Sequence, residues 1–176
     1  MTSSLQRLVL VIVLVLSTTV HAHDLPPPAT SSARVTVSGV VQQSLSLGID
    51  DLRQFPQDQI VELRLPGRDA AAPASVLKGV RLRALLERAK VVTDDHNTVK
   101  KLAVIAAATD GYKVIFSWSE LFNAELGNSV LVVFERDGQP LAAAEGPLAL
   151  ISGLDLRTGP RHVKWLQSVE VRQIVD

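Results

Sequence analysis

Lys101–Trp118, KLAVIAAATDGYKVIFSW, holds two apolar runs, Lys101–Thr109 and Lys113–Trp118, on either side of Asp110-Gly111-Tyr112. Asp-Gly between two such runs is a strong signal for a β-hairpin, because Gly reaches the positive φ that tight turns demand. A second Asp-Gly, Asp137-Gly138, separates Ser129–Arg136 (SVLVVFER) from the segment opening at Leu141. Antiparallel pairing of short strands is therefore the frame on which the rest must fit.

Outward from these hairpins, Arg34–Val41 (RVTVSGVV) alternates β-branched and small residues, and predicts a strand with Gly39 at a bulge. Leu47–Phe55 begins with acidic residues and stops before Pro56, which suits a short helix. Gln59–Leu65 sets Ile60, Glu62 and Arg64 against Val61, Leu63 and Leu65, the alternation of a half-buried strand. Pro66–Lys78 is rich in Pro, Gly and Ala and predicts a loop. Val80–Ala89 places Leu82, Leu85, Leu86 and Ala89 on one helical face with Arg81, Arg83, Glu87 and Arg88 outward. Ser117–Leu126 predicts one short helix, Pro147–Ser152 and Ser168–Ile174 two more strands, and His162–Leu166 at most one or two helical turns. Short strands interrupted by three or four helices make an α+β domain of mixed sheets.

Composition narrows the function. The chain has 176 residues, one domain's worth, with 18 basic and 18 acidic side chains and a net charge of zero. Nucleic acid is not an expected partner, since phosphate contacts call for a cationic face. Aromatic content of 4% also speaks against a base-stacking surface. There is no cysteine, so disulfides, thiolate metal sites, cysteine nucleophiles and lipid-modified cysteine anchors are excluded.

Met1–Ala22 has the pattern of a secretory signal: Arg7, the apolar run Leu8–Leu16, and Val20-His21-Ala22 as a small-residue cleavage site. The run is shorter than the roughly 20 residues of a membrane span, so no span is expected after cleavage. One arginine precedes it, which gives no twin-arginine signal, and a periplasmic location is expected. His23–Ala33 (HDLPPPATSSA) predicts an extended, flexible leader, and 34–176 the folded domain. Cleavage would expose His23 as the N-terminus, where amine and imidazole together can chelate copper. A second ordered histidine that would complete such a site is not evident.

The motifs VSGVV, LGIDDL, QIVEL, GVRLRALLERA, DGYKVIFSWSEL, VLVVFERDGQPL, GPLALI and RHVKWLQSVEV occur in that order between Arg34 and Ile174. In this order they resemble the molybdopterin-binding domain of sulfite-oxidase-type oxidoreductases. The resemblance implies that fold and a pterin phosphate beside the stretch that here reads Arg157–Trp165. It also implies a molybdenum-ligating cysteine within Gln59–Lys78, where this chain has none. The chain is shorter than the family's full catalytic domain, and no immunoglobulin-like second domain is expected in it. Family enzymes are exported folded, with cofactor, which a signal without twin arginines does not match. The resemblance, so qualified, implies a small exported member acting as a non-catalytic binding or accessory module, with no cofactor expected. A divergent molybdopterin oxidoreductase that holds its cofactor without cysteine is the alternative.

Arg157, Arg161, His162 and Lys164 crowd around Thr158-Gly159-Pro160. Gly and Pro shape a loop whose guanidinium and ammonium groups can grip a phosphate or another anion. The same cations can instead sit solvated or paired to carboxylates, and a groove filled that way would remove the ligand. Tyr112, after its turn, is a further candidate for lining a pocket, against simple rim packing. A pterin-like or small anionic ligand is thus the expected partner, with a periplasmic protein as the other option. Ser152, Asp155 and His162 do not form a triad motif, since LISGLD is not a nucleophile elbow. His96 with Asp94 and Asp95 reads as a solvated turn. No catalytic residue is assigned.

Overall fold

The computed structural model describes residues 33–67, 73–92 and 97–174. The signal segment, nearly all of the leader, His23 and His96 lie outside the described residues. The first sheet has the order β2-β1-β10-β5-β6, formed by Leu45–Gly48, Arg34–Gly39, Leu166–Gln173, Leu102–Ala108 and Lys113–Ser117. Only β1 and β10 run parallel; the other pairs are antiparallel. In the second sheet β3 (Ile60–Leu65), β4 (Ser75–Arg81) and β7 (Val130–Arg136) pair in turn. The far edge of β7 is shared by β8 (Gln139–Pro140) and β9 (Ala149–Ser152). Three short helices complete the fold: α1 (Ile49–Arg53), α2 (Leu82–Ala89) and α3 (Trp118–Phe122). This is the expected α+β architecture of mixed, short-stranded sheets. Among the described residues, no helix is long and apolar enough to cross a membrane.

Alternation along each strand assigns side chains to layers. Val35, Val37, Val104, Val114, Phe116, Val169 and Val171 from the first sheet meet Val80, Val130, Val132, Phe134 and Leu150 from the second. Leu85 and Leu86 of α2 and Leu121 of α3 are fully buried in the same core. Each such side chain stabilises the fold by about 1.5–3 kcal/mol relative to exposure. The opposite face of the second sheet carries a separate small cluster, Leu77, Leu131, Val133 and Ile151. One of its members, Ile151, lines an open cleft described below.

The hairpins form as their turn residues require. Gly111, at φ 90°, closes a three-residue connection in which the Ala108 N–H donates to the Tyr112 carbonyl at 2.9 Å. Asp137 and Gly138 both have positive φ, 51° and 75°, the two-residue turn that matches strand twist. The Asp137 carboxylate also accepts from the Val76 N–H at 2.7 Å, tying this turn to β4.

Several expectations shift, the first being that Leu47 and Gly48, expected in the first short helix, belong to β2, so that α1 starts at Ile49. The loop expected over Pro66–Lys78 gives way to β4 from Ser75, and the helix starts at Leu82 rather than Val80. Gly, Pro and Ala obscured β4 locally; pairing on both sides with β3 and β7 makes it a strand. Ser117–Leu126 divides into α3 and a 3₁₀ turn, Glu125–Asn128. The short helical element near His162 is a single 3₁₀ turn, Gly159–Arg161, that precedes it.

Gly39, at φ 94°, lies where β1 passes β10, and a Cβ there would stand 2.0 Å from the Val171 carbonyl oxygen. That oxygen accepts the Val40 N–H, so the clash would strike a sheet hydrogen bond. Gly138 shares the positive φ but has open space around it. Gly39→Ala should therefore cost about 2–4 kcal/mol and Gly138→Ala about 1 kcal/mol in urea denaturation. Equal losses would remove the close approach as the cause.

Candidate functional site

Between the start and end of the β3–β4 connection and the long β9–β10 loop lies an open cleft with two lobes, each about 610 Å³. The lobes share Leu65, Pro66, Gly67, Thr158, Gly159 and His162. One lobe extends over Ile151 of the second sheet to Ser75, Arg136, Glu145 and Lys164. The other extends to Arg64, Asp155, Leu156 and Arg157. Volumes of this size suit a small organic ligand. A further depression near α2 is walled by Phe55, Glu87 and Arg88, but its guanidinium already stacks over the Phe55 ring at 5.0 Å.

The cleft owes its shape to a partly buried ion cluster behind the loop. Arg161 donates from Nε to Asp155 at 2.7 Å, contacts the second Asp155 oxygen through Nη2, and reaches Glu120 from Nη1 at 3.0 Å. Its guanidinium also lies 4.6 Å from the Phe116 ring centroid. Glu120 also closes a reciprocal pair with Ser117. Its carboxylate accepts the Ser117 N–H at 2.7 Å, while the Ser117 hydroxyl accepts the Glu120 N–H at 3.2 Å. This capping box starts α3 and anchors the loop through one side chain. Next to it the Tyr112 hydroxyl donates to the Pro160 carbonyl at 2.5 Å. The β9–β10 loop is thus held to the β5–β6 hairpin at two points.

Within the first lobe, Arg136 Nη2 lies 2.9 Å from Glu145 Oε1 and 3.1 Å from Oε2, and Arg136 Nη1 donates to Ser75 Oγ at 2.8 Å. His162 Nε2 is 3.9 Å from Glu145 Oε2. Burial pushes the His162 pKa below its ordinary 6.5; Lys164 and Arg136 act in the same direction, and Glu145 opposes them. His162 is accordingly neutral at neutral pH.

The sequence candidates thus separate. Arg157, His162 and Lys164 line the cleft. Arg161 is committed to its two carboxylates, and Tyr112 props the loop from outside the cleft while staying 44% exposed. The structure adds Arg64, Arg136 and Glu145. Arg64 was visible as a polar-face position of its strand, but Arg136 and Glu145 had no local signal, because the turn before β9 brings Glu145 to the end of β7. Three cations of the cleft, Arg64, Arg157 and Lys164, make no ion pair among the described residues.

The family model for the oxidoreductase molybdopterin binding domain matches residues 23–175. The chain belongs to this family. Among solved structures it is similar to the sulfane dehydrogenase SoxCD from Paracoccus pantotrophus, with a TM-score of 0.56 and 19% identity. That match covers 80% of this chain and 38% of the other, so the chain spans well under half of its structural relative. At such identity the likeness is one of fold. Among curated proteins, none matches the chain in sequence.

The family's cofactor offers an anionic end and a metal end, and the cleft treats them differently. Its unpaired cations suit the anionic end of a molybdopterin. For the metal there is no thiolate, because the chain has no cysteine. Among the described residues no three His, Cys, Asp or Glu side chains gather to hold an ion. The donor set therefore does not fit the metal half, and no redox step is derived from it.

Arg161 holds Asp155 below the ordinary 3.8 through its hydrogen bond. Burial acts to raise Glu120, but the Ser117 and Arg161 contacts together outweigh it and hold that carboxyl below 4.5. A lowered folded-state carboxylate pKa stabilises the protein above the unfolded value, and that contribution is lost as pH falls through the folded one. Arg161→Ala should cost about 1–3 kcal/mol at pH 7, a value reduced for partial exposure. In urea titrations its deficit should narrow below about pH 4 as the two carboxylates protonate. A deficit independent of pH would mean that lost packing on Phe116, not charge, is the cause.

Proposed function

We propose that this protein is an exported, periplasmic binding module of its family that uses the cleft to hold a small anion or a pterin-like, phosphate-bearing molecule, without catalysing a reaction. The observation that carries this reading is the set Arg64, Arg157 and Lys164, which line one cleft with no carboxylate partner among the described residues. Like charges lining one cleft repel one another, and bound oxyanions relieve that repulsion while accepting charge-assisted hydrogen bonds. His162 adds one neutral donor. Export rests on the signal pattern of Met1–Ala22. The non-catalytic reading rests on the missing thiolate and on the absence, among the described residues, of an assembled nucleophile or metal site.

The deciding experiment purifies the protein from the periplasm of a host that makes molybdenum cofactor, then measures molybdenum, copper and pterin. It also titrates the metal-free protein with inorganic phosphate and sulfate. Anion binding that the double variant Arg157→Ala/Lys164→Ala weakens by at least about tenfold supports the reading. Near-stoichiometric molybdenum with pterin would overturn it in favour of a thiol-free oxidoreductase, and no anion binding would overturn the site itself. Sulfate, whose charge is constant over this range, gives a second check. A bound anion raises the depressed His162 pKa, so sulfate affinity should rise as pH falls below about 6.5. His162→Gln should flatten that rise, with Glu145, Lys164 and Arg136 left in place around it.

A further inference from the structure

We infer that the ligand of this cleft is an elongated organic dianion, with one anionic group held by Arg64 and Arg157 in one lobe and the other by Lys164 in the second. This rests on the anion-binding reading above and names the ligand class it leaves open. The cations that make no ion pair among the described residues are divided between the lobes: Arg64 and Arg157 line only one, and Lys164 only the other. The shared waist between them is Leu65, Pro66, Gly67, Thr158, Gly159 and His162, largely apolar or small. A single inorganic anion can satisfy one end and leaves the other unpaired. A molecule with a short uncharged middle satisfies both.

The remaining charges sharpen the choice. In the Lys164 lobe, Arg136 is neutralised by Glu145, so the net attraction there is that of one ammonium. In the other lobe, Asp155 is occupied by Arg161 from behind, which leaves the guanidinium groups of Arg64 and Arg157 to act on the ligand. Planar forks favour bidentate carboxylate or phosphate; an ammonium accepts any oxyanion as a point charge. Leu156, fully exposed at the rim of the arginine lobe, and Ile151, on the floor of the other, offer apolar contact to the ligand's middle. His162, at the waist, offers one N–H to a polar group there. The division of the cations between two lobes thus selects against both a lone phosphate and a long polyanion, for which a chain of zero net charge has no extended cationic track.

The test is calorimetric titration of the folded protein with succinate, adipate and suberate, each against the monocarboxylate of equal carbon number, at physiological ionic strength. Joining two anions makes the second contact intramolecular, so a dianion of matching length should bind at least about tenfold tighter than its monoanion. Lys164→Ala should erase that advantage and leave the dianion binding like a monoanion, and Arg157→Ala should reduce it, since Arg64 remains in that lobe. Both side chains are exposed, so neither variant should alter stability by more than about 0.5 kcal/mol, which thermal unfolding checks. Equal binding of dianions and monoanions, or of inorganic phosphate alone, overturns the two-ended ligand and leaves the anion cleft intact. No binding of phosphate, monoanion or dianion overturns both readings together.

Discussion

Strand β10 lies between β1 and β5, parallel to the first and antiparallel to the second, so one of the last elements of the chain completes the sheet begun by one of the first. Its register, Val169 beside Val37 and Ala106, turns Val169 and Val171 into the core with Val35, Val37 and Val104. Slipping that pairing by one residue would turn this apolar set to solvent. The close approach of Gly39 to Val171 marks how tightly the parallel pair is fitted. Until β10 is docked, the β9–β10 loop that precedes it has no fixed position, and neither has the cleft.

Two sets of polar contacts convert that docking into a site. Behind the loop, Arg161 draws Asp155 and Glu120 together beside Phe116, and Tyr112 holds Pro160. In the cleft, Arg136 and Glu145 pair across the β7–β9 region, while the Trp165 N–H donates to the Glu145 carbonyl at 2.8 Å. One group of cations is thereby consumed in building the loop, and another is left facing outward. That division separates an arginine committed to carboxylates, Arg161, from one open to the cleft, Arg157, within one short segment. The energetic logic is consistent: a buried guanidinium left unpaired would be costly, whereas cations on an open cleft remain partly hydrated and available.

Family membership and cysteine content pull in different directions. The fold is that of the molybdopterin-binding domain, and the cleft opens beside the β3–β4 connection, within Gln59–Lys78, where the sequence resemblance implied a cysteine and this chain has none. With no cysteine in the chain, the cleft offers no sulfur ligand to a metal, and what lines it is cationic: Arg64, Arg157 and Lys164.

Much of the architecture was legible in the residues themselves. Asp-Gly between apolar runs specifies a hairpin because few residues tolerate positive φ, and Leu82, Leu85, Leu86 and Ala89 specify a helix because only a 3.6-residue period aligns them. The zero count of cysteine also needed no structure to be decisive. Strand β4 was hidden, since its Lys78-Gly79 centre lacks β-character and pairing on both edges supplies what propensity does not. The same locality explains the site. Sequence could gather Arg157, Arg161, His162 and Lys164 as one cationic cluster, yet could not divide them. Only the folded chain brings Glu120 and Asp155 to Arg161, Glu145 to Arg136, and Arg64 to the opposite wall, because charge pairing depends on distances in space that spacing along the chain does not encode.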